Sequence, residues 1–118
     1  MITVIVDRIG DDIKGLYISG HSGYAEQGSD IICAAASTLF YTAANALEEL
    51  CSLKDTAEIN QDFTTDEVDA KIRIPEVDED LKKKVRTIMD TVVVGFRSLE
   101  MSVNDDDGQY IELIESGN

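Results

Sequence analysis

The sequence predicts an α+β fold in which two long helices pack on one face of a small, mostly antiparallel β-sheet. Short stretches in which apolar and polar residues alternate predict strands, and they come in pairs joined by turn residues. Two longer stretches carry apolar residues at every third or fourth position, which is typical of amphipathic helices. Strands and helices occur in groups and do not alternate strictly, and this order favours α+β over a parallel α/β sheet.

Five strands are predicted from the alternating stretches. They lie at residues 3–7, 13–19, 57–63, 68–74 and 110–114. Gly10-Asp11-Asp12 supplies the turn between the first two strands, and Thr64-Thr65-Asp66 joins the third to the fourth. The last residues, 116–118, should fray because nothing ties down the chain beyond the final strand.

Two helices are predicted from the apolar stripes. The first runs from Asp30 to about Leu53, and Ser29 or Asp30 supplies its N-cap. The second begins after Asp78, which can cap it in the same way. The first stripe comprises Ile32, Ala36, Leu39, Phe40, Ala43, Leu47 and Leu50. The second stripe comprises Leu81, Val85, Ile88, Met89, Val92, Phe96 and Leu99.

Length and composition indicate one globular unit. The 118 residues suit a single domain over residues 1–118, and a hydrophobic fraction of 43% argues against disorder. Apolar runs stay well short of the roughly 20 residues of a membrane span. The opening MITVIVDRIG lacks the basic and small-residue features of a signal peptide. We therefore expect a cytoplasmic protein with no membrane partner, whose two cysteines are thiols.

The charge balance excludes one class of partner. Ten Lys and Arg stand against 24 Asp and Glu, which gives a formal net charge of −14. No direct nucleic-acid binding is expected, because it needs basic residues that replace phosphate counterions. A basic protein would instead be attracted, mainly through a faster on-rate. The plainer interpretation is that the charge serves solubility alone.

Cys33 and His21 are the candidate catalytic pair. Cys33 stands in the first turn of the first predicted helix, where the helix dipole favours thiolate over thiol. His21, the only histidine, lies in the glycine-containing stretch 20–30 and would act as general base. Backbone N–H groups at the same helix end would stabilise an oxyanion. The alternative is that the two residues are unrelated and Cys33 is a small core residue.

Neither a redox switch nor a metal centre is expected. Cys51 follows Cys33 on the same predicted helix by five full turns, roughly 27 Å along the axis. A disulfide needs Cα atoms within about 7 Å, so the two thiols cannot pair if the helix is unbroken. His21 and Cys33 supply only two ligands for a zinc ion. The sequence therefore predicts no metal and no cofactor, with Cys51 in or near the core.

Three further residues have two interpretations each. Asp30 either caps the first helix or orients the His21 imidazole, as the acid of a catalytic triad does. Ser37, one turn after Cys33 on the same face, either contacts bound peptide or donates its hydroxyl to the Cys33 carbonyl. Gly20 either lets the chain bend over a substrate or only makes a turn.

Two segments match a known family. Gly20-His21 and Asp30-Ile31-Ile32-Cys33-Ala34-Ala35-Ala36-Ser37 resemble the signature of the ribosomal-processing cysteine protease family, Prp, in residue types and spacing. The resemblance extends over nearly the whole chain. Ser22 stands where the family has Ala, and Ala36 where Val is common. Neither departure touches the reacting groups, so they bear on substrate preference more than on catalysis.

The resemblance implies a bacterial, homodimeric endopeptidase with Cys33 as nucleophile and His21 as base. Its partner and substrate would be a basic large-subunit ribosomal protein, the one numbered twenty-seven, from which it removes a short N-terminal extension. An alternative from another class is a non-catalytic acidic adaptor or ribosome-assembly factor that binds a basic ribosomal protein. In that case Cys33 would be structural only.

Overall fold

The computed structural model describes residues 1–21, 31–61 and 68–117, and its elements follow the predicted order. The strands are β1 (Ile2–Ile9), β2 (Asp12–Gly20), β3 (Ala57–Gln61), β4 (Val68–Arg73) and β5 (Ile111–Gly117). The helices are α1 (Ile31–Cys51) and α2 (Glu79–Val103).

The strands form one five-stranded sheet in the order β3-β4-β2-β1-β5. β1 pairs with β2, β2 with β4 and β3 with β4 in antiparallel register, whereas β1 and β5 run parallel. The prediction of an α+β fold with a mostly antiparallel sheet is confirmed. The parallel pair brings the last strand beside the first, at one edge of the sheet.

One face of this sheet carries the core. Val6, Leu16 and Ile72 lie opposite one another on adjacent strands and are fully buried. Residues opposite one another point to the same face, whereas their neighbours Ile5 and Tyr17 point to the other face and are only half-buried. Both helices complete the core on the Val6 face with Ala36, Phe40, Leu47, Met89 and Phe96. Each large apolar side chain buried there contributes about 1.5–3 kcal/mol.

The two helices run antiparallel and in contact. Leu39 on α1 packs against Gly95 on α2, where a Cβ would lie 2.6 Å from Leu39 Cδ2. Further along, Lys84 Nζ donates a hydrogen bond to the carbonyl oxygen of Leu50 at 2.8 Å. The two contacts are separated by the same number of residues on each helix, about 16 Å of helix length. The first turn of α1 therefore lies level with the last turns of α2.

The N-terminal end of α2 has the predicted cap. Asp78 takes an extended backbone conformation, and its carboxylate accepts a hydrogen bond from the N–H of Leu81 at 2.9 Å. This bond satisfies one of the amide groups that a helix start leaves without an intrahelical acceptor. The cap of α1, predicted at Ser29 or Asp30, lies outside the described residues, as does the predicted strand junction within 62–67.

The C-terminal end of α1 corrects two predictions. The helix ends at Cys51 and not at Leu53, because Ser52 adopts a left-handed φ of 57° and donates its N–H to the carbonyl of Glu48. This is the αL type of helix ending. Leu50, assigned by spacing to the buried stripe, is 57% exposed, whereas Cys51 is buried. In this last turn it is Cys51 that faces the core, four residues after Leu47, the previous buried side chain of the helix.

β5 is longer than predicted. Ser116 and Gly117, which the sequence predicts to fray, pair with Asp7 and Arg8 of β1. Arg8 also reaches across this pair, and its Nη2 donates to Glu115 at 2.9 Å. Pairing with β1 therefore keeps β5 extended beyond residue 114, where the alternation of apolar and polar residues in β5 ends.

α1 is long and apolar enough, by length and composition alone, to cross a membrane. Six of its residues are nevertheless buried in the core of the chain: Ile32, Ala36, Phe40, Ala43, Leu47 and Cys51. Packing against the sheet and α2 therefore accounts for the apolar residues on the inward face of this helix.

Candidate active site

His21 and Cys33 lie at the same end of the molecule. His21 directly follows Gly20, which ends β2 and pairs with the first residue of β1. Asn104, the residue after α2, lies at the same end, because its Nδ2 donates a hydrogen bond to the carbonyl of Ile111 at 2.7 Å. Ile111 is the first residue of β5 and pairs with Ile2 at the start of β1. The antiparallel helix pair then brings the first turn of α1, which contains Cys33, to this level. The end of β2 and the start of α1 therefore lie at the same end of the fold.

Gly20 is required by the backbone at this point. Its φ is +101°, a conformation that residues with a Cβ rarely adopt. A Cβ at this position would also collide with the main-chain carbonyl oxygen of Met1. The end of β2 therefore lies tightly against the start of β1, and this contact sets where the backbone of His21 begins. Gly20 therefore has a backbone role at the end of β2, and its contact with a substrate stays a prediction.

Cys33 stands at the boundary between core and surface. It is half-buried and packs against the core, between buried Ile32 and exposed Ala34. The positive end of the helix dipole favours a thiolate in this first turn. His21 is half-buried as well. A thiol and an imidazole are the groups that serve as nucleophile and proton carrier in covalent catalysis.

The remaining candidate residues divide into two groups. Ser37 lies one turn after Cys33 on α1 and is half-buried, so the structure keeps it on the same side of the helix. Asp30 lies outside the described residues, as does the rest of the glycine-containing stretch 20–30 from residue 22 onward. The two interpretations of Asp30, cap or imidazole partner, therefore both stay open.

Cys51 stands apart from this site. It is buried at the opposite end of α1, and the two cysteines are not joined in a disulfide. The separation of five helical turns excludes a disulfide between them. Within residues 1–21, 31–61 and 68–117, no group of three or more His, Cys, Asp or Glu side chains is arranged to hold a metal ion.

A pocket at the same end of the sheet was not predicted from the sequence. It has a volume of about 550 Å³ and lies between the end of α2 and the start of β5. The described residues that line it are Met1, Glu100, Met101, Asn104, Gln109, Ile111 and Glu112. No local pattern identifies this pocket, because its walls come from three segments that only the parallel pairing of β1 with β5 brings together.

The chain matches a family model described as cysteine protease Prp over residues 1–108. Two relatives named ribosomal processing cysteine protease Prp align over 107 residues, which cover 89% of this chain. The relative from Bacillus subtilis strain 168 is 24% identical and is covered to 92% of its length. The relative from Staphylococcus aureus strain Mu50 is 27% identical and is covered to 93%.

Solved structures show the same fold. One is an essential ribosomal processing protease Prp from S. aureus in complex with a covalently linked product peptide. It matches with a TM-score of 0.73 and 25% identity, over 98% of this chain and 100% of that chain. The S. aureus protease in complex with a substrate peptide matches with a TM-score of 0.67 and the same identity and coverage. A Streptococcus mutans protein matches in fold with a TM-score of 0.75 and 24% identity, over 100% of this chain and 96% of that chain.

These matches define the class of protein: the chain is a cysteine protease. It belongs to the Prp family, whose model covers the whole sheet except its last strand, both helices and the two segments that carry His21 and Cys33.

Proposed function

We propose that the chain is a single cytoplasmic protease domain of a bacterium. In this proposal it removes the short N-terminal extension of the large-subunit ribosomal protein numbered twenty-seven. The observation that carries the proposal is the position of Cys33 and His21 at one end of the fold. It is supported by the S. aureus relative, which is a ribosomal processing protease with a product peptide covalently attached.

In the proposed reaction Cys33 is the nucleophile and His21 the base. The Cys33 thiolate attacks the scissile carbonyl carbon, and a C–S bond forms while the carbonyl oxygen takes up negative charge. The protonated His21 imidazole then gives its proton to the leaving amine as the C–N bond breaks. A water molecule, deprotonated by His21, attacks the thioester and releases the carboxyl product and the Cys33 thiolate. The positive end of α1 stabilises both the thiolate and the oxyanion.

Three neighbouring residues have supporting roles in this proposal. Ser37 and Gly20 contact the bound peptide, Ser37 from the next turn of α1 and Gly20 from the end of β2. Asp30 holds the His21 imidazole in the tautomer that accepts a proton. These residues are positioning and binding groups, and Cys33 carries the chemistry.

The overall charge suits the proposed substrate. A chain with a net charge of −14 attracts a basic ribosomal protein and accelerates their encounter at low salt. The same charge opposes direct contact with nucleic acid. Phosphate groups are repelled by an acidic protein, and binding needs basic residues that replace their counterions. The proposed partner is therefore the protein substrate and no nucleic acid.

We also propose that the protease is a homodimer joined through the outward face of α1. Two copies with a charge of −14 repel each other unless the surfaces that meet are uncharged. α1 has no charged residue from Ile31 to Leu47, and Tyr41 on its outward face is 44% exposed. Tyr41→Glu should give monomers in light scattering, whereas Asn60→Glu, the same charge change on β3, should leave dimers. Dimers of Tyr41→Glu would overturn this assignment.

The direct test mixes the protein with the extended ribosomal protein and measures product mass. Cleavage of the extension is expected, and Cys33→Ala and His21→Ala should each abolish it while retaining peptide binding and the folded state. Cys51→Ser is the matched cysteine control, and it should still cleave once folded. Binding without cleavage by the unsubstituted protein would contradict the proposal and favour the alternative, an acidic adaptor for a basic ribosomal protein. Cleavage by Cys33→Ala would overturn the assigned nucleophile.

A further inference from the structure

We propose that the pocket between the end of α2 and the start of β5 binds a basic side chain of the substrate, a few residues from the scissile bond. This inference rests on the proposed function, because it assumes a peptide at Cys33. The pocket would be a second recognition site, separate from the residues that carry the chemistry.

The lining of the pocket suits an amphipathic cation. Met1, Met101 and Ile111 supply apolar surface, and Glu100 and Glu112 supply two carboxylates. None of the described side chains that line the pocket is basic, and the two carboxylates outnumber the one N-terminal ammonium of Met1. A Lys or Arg side chain has an apolar stem and a charged head, and it can lay the stem on methionine side chains while the head meets carboxylate oxygens. The volume of about 550 Å³ is ample for one such side chain.

The framework of the pocket is held by hydrogen bonds before any peptide arrives. Glu100 Oε2 accepts the N–H of Leu113 at 2.7 Å, so this carboxylate is anchored to β5. Asn104 Oδ1 accepts the N–H of Tyr110 at 2.8 Å, and its Nδ2 donates to the carbonyl of Ile111. A preformed site loses less conformational entropy when a ligand binds than a site that must be ordered.

The same hydrogen bonds decide how a peptide can bind here. β5 is an edge strand, and an exposed edge invites pairing with another extended chain. The bond from Leu113 to Glu100 occupies an outward backbone donor of that edge. Strand addition is therefore blocked at this position, and recognition must come through a side chain of the peptide.

The pocket lies within reach of a peptide at the catalytic pair. Met1 lines the pocket, and its carbonyl lies against Gly20, the residue before His21. β2 and β5 are separated only by β1, so the end of β2 and the start of β5 lie about 10 Å apart across the sheet. An extended peptide covers that distance in about three residues. The basic side chain would thus lie about three to five residues from the scissile bond.

The test measures binding directly, so that it does not depend on cleavage. Two labelled peptides of the substrate are compared, identical except that they carry Lys in one and Gln in the other at about three to five residues from the scissile bond. For the Lys peptide, Glu112→Gln and Met101→Ala should each raise the dissociation constant about 2- to 5-fold. For the Gln peptide the two variants should bind as the unsubstituted protein does. Glu79→Gln removes the same charge from the opposite end of α2, where the Glu79 side chain is 85% exposed, and should change neither constant.

The outcomes separate the pocket from the proposed function. With cleavage active, Glu112→Gln should raise KM for the Lys peptide and leave kcat unchanged. A loss of affinity that is equal for both peptides, or no loss at all, overturns the pocket assignment while leaving the protease intact. A change of oligomeric state in Glu112→Gln would assign the pocket to a contact between copies and also overturn it. If neither peptide is cleaved but binding discriminates as expected, the proposed function fails and the cation site stands.

Discussion

Gly20 at the end of β2 lies so close to the main-chain carbonyl of Met1 that no Cβ fits between them, and its φ is +101°. This contact ties the start of β1 to the residue immediately before His21. The Met1 carbonyl belongs to the peptide group whose N–H, that of Ile2, donates to the carbonyl of Tyr110, so it cannot rotate away as a side chain can. The position of the candidate base therefore depends on a glycine that only the folded sheet requires.

Gly20→Ala should lower stability by about 2–4 kcal/mol, since strain at positive φ adds to the displacement of β1. Cleavage should fall further than the unfolded fraction explains, because His21 moves with the strand end. Gly10→Ala is the matched control: Gly10 has φ +61° and no atom within 4 Å of an added Cβ. Its cost should be about 1 kcal/mol with activity retained. Urea unfolding and cleavage assays on both variants check this, and equal losses in the two would contradict it.

Iodoacetamide should label Cys33 much faster than Cys51 near neutral pH. Cys33 is half-buried at the positive end of a helix, whereas Cys51 is 6% exposed at its other end. Mass spectrometry of the two cysteine peptides over time measures the rates. In denaturant the two rates should converge, which shows that the difference comes from the fold. Faster labelling of Cys51 in the folded protein would count against the assigned nucleophile.

Leu47→Ala should destabilise the protein by about 2–5 kcal/mol, whereas Leu50→Ala should change the free energy of unfolding by less than about 0.5 kcal/mol. Both residues belong to the apolar stripe that spacing predicts, but Leu47 is fully buried and Leu50 is 57% exposed. Denaturant unfolding of the two variants measures the difference. Similar losses would mean that Leu50 is covered in solution.

Asp12 should contribute to stability above about pH 4 and lose that contribution as the pH falls further. The hydrogen bond from Arg86, with Nη2 2.8 Å from Asp12 Oδ1, holds the pKa of the Asp12 carboxyl below its ordinary value. Because the folded-state pKa is lower than the unfolded one, protonation at acid pH favours unfolding. The stability difference between the protein and Asp12→Asn should be constant from pH 5 to 7 and shrink below about pH 4. A difference that grows at acid pH would contradict this, and exposed Asp106→Asn serves as the control.

Much of the fold follows from periodicity alone. The alternation around Val4 and the stripe around Phe40 predict a strand and a helix, because each records which side chains share a face. The order of the elements then indicates the fold class. Periodicity does not predict where elements end, because capping and strand pairing decide those positions. Helix α1 stops after Cys51 because of the backbone conformation of Ser52. Gly117 stays extended because β1 pairs with it.

The candidate pair was also accessible from the sequence, because His21 and Cys33 are close in the chain and belong to residue types with distinctive chemistry. The pocket lined by Met1, Met101 and Glu112 was not, since these residues come from the two ends of the chain.

The sequence by itself determined the kinds and order of the elements, the net acidic charge and the two candidate catalytic residues. These are local properties, carried by the spacing and chemical type of neighbouring residues. Only the tertiary structure decided that β5 lies beside β1, that Leu50 faces solvent and that Gly20 must lack a side chain. Those features depend on contacts between distant segments, and no pattern within one segment records which distant segment will pack against it.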